Sequence, residues 1–126
     1  MTIEEFTATV SANAPPAVGP LLRALWHDAR GNWDEAHRIA QDVDDTDGAW
    51  VHAYLHRKEG DLGNASYWYR RAGQPVAADS LEAEWRRIVT TLLGRDSGFG
   101  IRDSGLGIRA RRKTSVERRI RRPRRV

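Results

Sequence analysis

A chain of 126 residues without a cysteine has room for one modest core and excludes disulfide and thiolate chemistry. Its formal charge of +4 conceals a division: residues 1–94 hold 9 Lys and Arg against 14 Asp and Glu, a net −5, while residues 95–126 hold 12 against 3, a net +9. MTIEEFTATV carries two acids and no base, unlike a secretory signal, and no run of about 18 apolar residues is present to span a bilayer, so a cytoplasmic protein away from the membrane is expected.

The chain order reads as helices throughout. Thr2 with Glu5 forms a capping box before Ile3, Phe6 and Val10, which share one face. Ala14-Pro15-Pro16 breaks that helix, and the next starts near Pro16 or Pro20, because proline suits a first helical turn. It carries Leu21, Leu22, Leu25, Trp26 and Ala29 and stops at Gly31. Asn32 with Glu35 opens a helix from Trp33 to Val43, and the acidic turn Asp42, Asp44, Asp45, Asp47 follows. Asp47 is the expected cap of Gly48–Glu59, ended by Gly60; Asp61 caps Leu62–Ala72, ended by Gly73 and Pro75. Asp79 with Glu82 opens a last helix through Leu81, Trp85, Ile88, Val89, Leu92 and Leu93, which Gly94 closes. The fold class expected is all-α, in a domain covering residues 1–94.

The two central helix pairs repeat. At an offset of 29, Ala24, His27, Gly31, Asn32 and Ala36 align with Ala53, His56, Gly60, Asp61 and Ala65. The alanines allow close helix approach, and the glycine supplies a left-handed turn. GNWDEA at Gly31–Ala36 resembles the turn of a tetratricopeptide repeat, and GDLGNASYWYRRAGQP, with Ala65, Tyr69, Ala72 and Pro75, is similar to that family's second helix or to its Sel1-like relatives. The departures are a period of 29 rather than about 34, and Pro20, Arg23 and Ala24, or Ala49, His52 and Ala53, where that family has Trp, Leu and Gly. The first copy also has Ala40 where the second helix carries an aromatic. The resemblance implies a short α-solenoid of two helical hairpins with flanking helices. The string WVHAYLHRKEGDLGNASYWYRRAG separately looks like the signature of a small family of uncharacterised proteins, which implies no activity.

Residues 95–126 read differently. DSGFGIR and DSGLGIR stand in tandem, resembling a translated DNA repeat element, before RARRKTSVERRIRRPRRV. Two glycines in each seven and few apolar groups predict a disordered tail. Its nine Arg and Lys from Arg111 to Arg125 would attract nucleic acid only nonspecifically, since no aromatic interleaves them to stack bases.

Chemistry-bearing residues are sparse. His52 and His56 stand four apart on one helix, the spacing that lets two imidazoles share a metal, and His27 and His37 could add ligands. HAYLH lacks the interposed Glu of a zinc-protease helix, and His27 and His56 occupy equivalent repeat positions, so the expected role is structural, one ring nitrogen bonded to backbone. No metal, cofactor or catalytic residue is expected. Helix 48–59 is apolar nearly all round, as if flanked on both sides. Its Trp50, Tyr54, Arg57 and Lys58, with Trp68, Arg70 and Arg71 of the following helix, are the candidate partner-binding residues, although basic residues in a last turn also simply complement the helix dipole.

The function expected is a protein-interaction module whose groove takes a peptide or partner helix. An acidic partner or a second copy of the chain is the natural occupant, because five tryptophans are too many for so small a core and Trp50, Trp68 or Trp85 should form an exposed patch. The alternatives are a small-ligand or catalytic pocket around His52, His56, Arg57 and Tyr67, and nonspecific nucleic-acid binding through the tail.

Overall fold

A computed structural model describes the backbone of residues 1–98 and the side chains of residues 1–95. The chain forms α1 (Ile3–Ala8), a 3-10 turn (Thr9–Ser11), α2 (Pro20–Ala29), α3 (Trp33–Gln41), α4 (Thr46–Glu59), α5 (Leu62–Ala72) and α6 (Leu81–Gly98). No strand occurs among the described residues, so the fold is all-α. The expectations for the tandem heptapeptides and the basic segment lie outside the described residues.

Local chemistry sets most boundaries. Thr2 and Glu5 close the capping box that starts α1, and Pro20 occupies the first turn of α2. The turns α2–α3 and α4–α5 are built alike. Gly31 and Gly60 sit at φ +87° and +91°, a conformation that side chains with a Cβ resist. Asn32 and Asp61 accept the N–H of Glu35 and Asn64 on their side chains, and donate their own N–H to the carbonyls of His27 and His56, both at 2.9 Å.

Four boundaries differ from the sequence reading. α4 begins at Thr46 and is capped by Asp45, whose carboxylate accepts the Gly48 N–H at 2.8 Å; Asp47 instead pairs with Arg95. α6 is capped by Ser80, which accepts the Ala83 N–H at 3.0 Å, because Asp79 is engaged by Arg87. α6 also runs past Gly94 to Gly98. Glycine ends a helix by turning left-handed, and only Gly31, Gly60 and Gly73 have positive φ among the described residues. α3 stops at Gln41, short of Val43. Thermal denaturation checks the α4 cap: Asp45→Ala should cost about 1 kcal/mol and Asp45→Asn, which keeps the accepting oxygen, far less. Asp47→Ala proving the costlier change would restore Asp47 as the cap.

Packing centres on α4. It touches α2, α3, α5 and α6, and every residue from Gly48 to His56 is buried, as its all-round apolar character predicts. Leu22 and Leu25 of α2, Val51 and Leu55 of α4, Tyr69 of α5 and Ile88 and Val89 of α6 form the centre of the core. Phe6 is fully buried and fixes α1 against Trp85, ring centroids 6.0 Å apart.

The exposed tryptophan patch does not form. Trp26, Trp50 and Trp85 are buried, and Trp33 and Trp68 are half-buried against the core. The interior accepts these indoles because their N–H groups find acceptors. Trp26 donates to the Thr9 carbonyl at 2.9 Å, Trp33 to Leu55 at 2.8 Å and Trp85 to Leu25 at 3.1 Å. No helix of the described residues is long and apolar enough to cross a membrane.

Candidate functional site

The residues expected to meet a partner divide by depth. Trp50 and Tyr54, at 5% and 2% exposure, belong to the core, which removes them from a binding surface. Arg57 and Lys58 turn to two buried carboxylates of neighbouring helices. Glu84 of α6 is completely buried. It accepts from Arg57 Nη1 at 2.8 Å, from the Tyr69 hydroxyl at 2.6 and 2.7 Å to its two oxygens, and from Trp50 Nε1 at 3.4 Å. Arg57 donates further to the Asp79 carbonyl. Asp28 of α2 is likewise buried and accepts from Lys58 Nζ at 2.9 Å and from the Tyr54 hydroxyl at 3.2 Å. A buried polar group is costly unless donors surround it, and both carboxylates have them. Burial first, then the neighbouring Asp28, pushes the Tyr54 phenol far above its ordinary range; burial, then the bond to Glu84, does the same to Tyr69.

Trp68, Arg70 and Arg71 remain toward the surface of α5. The Arg71 guanidinium lies over the Trp68 and Tyr67 rings, 5.3 and 5.8 Å from their centroids, and donates to the Tyr67 hydroxyl at 3.0 Å. The pocket expected from His52, His56, Arg57 and Tyr67 does not assemble, since Arg57 is committed to Glu84 on α6.

A different cluster does assemble, between α3 and α4. Two helical spacings of four create it: Trp33 and His37 share one face of α3, and His52 and His56 share one face of α4. The packing of α3 on α4 brings His37 Nε2 to 3.0 Å from His52 Nε2, so one ring donates and the other accepts. His56 Nδ1 lies 2.7 Å from the Glu59 carboxylate. Trp33 stacks on His37 with centroids 4.8 Å apart, and Trp68 stacks on His52 at 4.0 Å. His52 and His56 are buried and His37 half-buried. Burial, followed by the neighbouring His56, lowers the pKa of His37, while Glu59 and Asp34 oppose. These rings thus meet one another and Glu59. His27 stands apart, edge-on to Trp26 with centroids 5.0 Å apart.

Two cavities border these groups. A cleft of about 730 Å³ opens between α1, α2, α4 and α6, with Val10, Asp28, Tyr54, Lys58, Trp85 and Arg86 among its walls. A smaller one of about 170 Å³ is lined by His52, Trp68 and Arg71 together with the α3–α4 connection. Sequence reasoning passed over Asp28, Glu84 and Trp33, and weighed His37 only as an accessory. The signal available for the last two was the shared spacing Trp33/His37 and His52/His56. The chain matches no protein-family model, no curated protein and no solved structure.

Proposed function

We propose that the chain is a protein-interaction module, a short tetratricopeptide-like solenoid in which α2–α3 and α4–α5 are the two hairpins and α1 and α6 flank them. The matched turns at Gly31 and Gly60 support that reading. The occupant of its groove is a short, acidic and apolar segment of a cytoplasmic partner protein. The observation that carries this is the cleft of about 730 Å³ walled by the first helix of each pair and by α6. Trp85, Leu81 and Val10 give it apolar walls, and the three cations Lys58, Arg86 and Arg30 outnumber the two carboxylates, Asp28 and Glu82, in its lining. The 3-10 turn and the residue after it narrow the groove: Trp26 and Arg30 hold the carbonyls of Thr9, Val10 and Ala12, so a few residues fit and a long partner helix does not. With Trp50 and Trp85 buried, self-association loses the surface it was expected to use.

Selection from a displayed peptide library against the full chain tests this. Peptides combining Asp or Glu with Leu or Phe should be enriched, and Leu81→Glu with Arg86→Glu should weaken them by roughly tenfold or more, about 1.4 kcal/mol. Both proteins carry the same basic tail, so the difference reports the cleft. Equal binding to the two, or no enriched class, would contradict the reading.

A further inference from the structure

Three of the four histidines in the chain meet in one place, and the interaction reading gives them no task. One ring nitrogen from each of His37, His52 and His56 can be chosen so that the three lie within 4.8 Å of one another. Packing alone does not require this. A buried imidazole retains polar nitrogens that need partners, and an apolar ring would fill the same space against Trp33 and Trp68 without that demand.

We propose that His37, His52 and His56 form a binding site for a first-row divalent transition-metal ion, held through imidazole nitrogens, with one coordination position left to an exogenous ligand. Imidazole donors suit zinc, copper and nickel, and three protein ligands plus one open position is the pattern of reactive rather than purely structural zinc. The geometry is close to that arrangement. Two nitrogens on a tetrahedral ion, each about 2.0–2.1 Å from it, stand about 3.3 Å apart, and His37 Nε2 and His52 Nε2 already lie at 3.0 Å. The proton these two rings share occupies the place that the ion takes. The widest of the three nitrogen separations, at most 4.8 Å, then needs to close by no more than about 1.5 Å.

Two further features point the same way. Glu59 sits 2.7 Å from Nδ1 of His56 and engages that nitrogen, so the site would use Nε2 of this ring. A carboxylate behind a ligating imidazole orients the ring and raises its basicity. The cavity of about 170 Å³ that borders His52, with Thr46, Asp44, Asp45 and Arg71 also in its walls, supplies polar room for water beside that ligand. The i, i+4 pair on α4 makes half of the site from one helix, and α3 contributes the ligand that completes it.

Titration of the chelator-treated full chain with Zn²⁺, followed by calorimetry and by melting temperature, tests the proposal. One ion should bind per chain and raise the melting temperature with concentration. Cu²⁺ should quench tryptophan fluorescence, since Trp68 stacks 4.0 Å from His52. His37→Gln should abolish binding, and Glu59→Gln, at a partly exposed position, should weaken it about 10–100-fold while leaving the metal-free melting temperature unchanged. His27→Gln should bind as the parent does. Absence of one-to-one binding in the parent, or binding that survives His37→Gln, or binding that His27→Gln impairs equally, would overturn the site and leave the cluster as core packing.

Discussion

Glu84→Met should lower stability by about 3 kcal/mol, although the new side chain is similar in volume and fully apolar. Removing one partner of a buried ion pair costs about 3–5 kcal/mol because the other charge is stranded. The lower end applies here, since the Arg57 side chain keeps 16% exposure and retains the Asp79 carbonyl. The Tyr69 hydroxyl, bonded only to the two oxygens of Glu84 among its side-chain acceptors, is stranded as well. At about 4–8 °C per kcal/mol for a domain of this size, the melting temperature should fall by about 12–24 °C. Glu82→Met, two residues away on the exposed side of α6, should change it by no more than a few degrees. Equal effects at the two positions would mean that Glu84 is not the acceptor at the centre of the helix packing.

Gly48→Ala should destabilise, against the usual direction for a helical glycine. Alanine in a helix interior normally gains about 0.5–1 kcal/mol over glycine. At Gly48 the added Cβ would lie 1.8 Å from the Val43 carbonyl oxygen and 2.8 Å from its carbon, because the α3–α4 connection crosses directly over the first turn of α4. Backbone cannot rotate aside as a long side chain would, and the Asp45 cap bonded to the Gly48 N–H ties the same loop down. A cost of about 1–3 kcal/mol or more is expected, as for overpacked cores. Gly63→Ala in α5, where nothing lies within 4 Å of the added atom, should stabilise by about 0.5–1 kcal/mol. Opposite signs in paired urea denaturations are the expected outcome; stabilisation by both would place the connection elsewhere.

What the sequence disclosed and what it hid follow from the range of each interaction. The six helices, the turns at Gly31, Gly60 and Gly73 and the burial of α4 on every side rest on spacing and on residues within a turn of each other, so they were readable. The caps at Asp45 and Ser80 were misplaced because neighbouring acids, Asp47 and Asp79, satisfy the same local pattern; only their partners Arg95 and Arg87, 48 and 8 residues away, decide between them. Nothing within a turn of Glu84 or Asp28 marks either as buried. Their partners Arg57 and Lys58 lie 27 and 30 residues away, a distance at which no pattern in one sequence pairs charges. The same blindness made Trp50 and Tyr54 look like a partner surface. The histidine cluster was half visible: His52 and His56 announce themselves on one helix, whereas His37 joins only through the packing of α3 on α4.

The central claim is that α4 spends its aromatic and basic residues inward, on carboxylates of the neighbouring helices, and leaves binding to the cleft and the histidine face. A double-mutant cycle between Arg57 and Glu84 tests it most directly, with Arg57→Met, Glu84→Met and the pair compared by equilibrium unfolding. Each single change strands the opposite charge and the double strands neither, so the double variant should be more stable than the sum of the singles predicts by at least about 1.5 kcal/mol, within the range of residues in one network. Additivity within about 0.3–0.5 kcal/mol, the behaviour of sites that do not touch, would contradict the claim and return Arg57 to the surface.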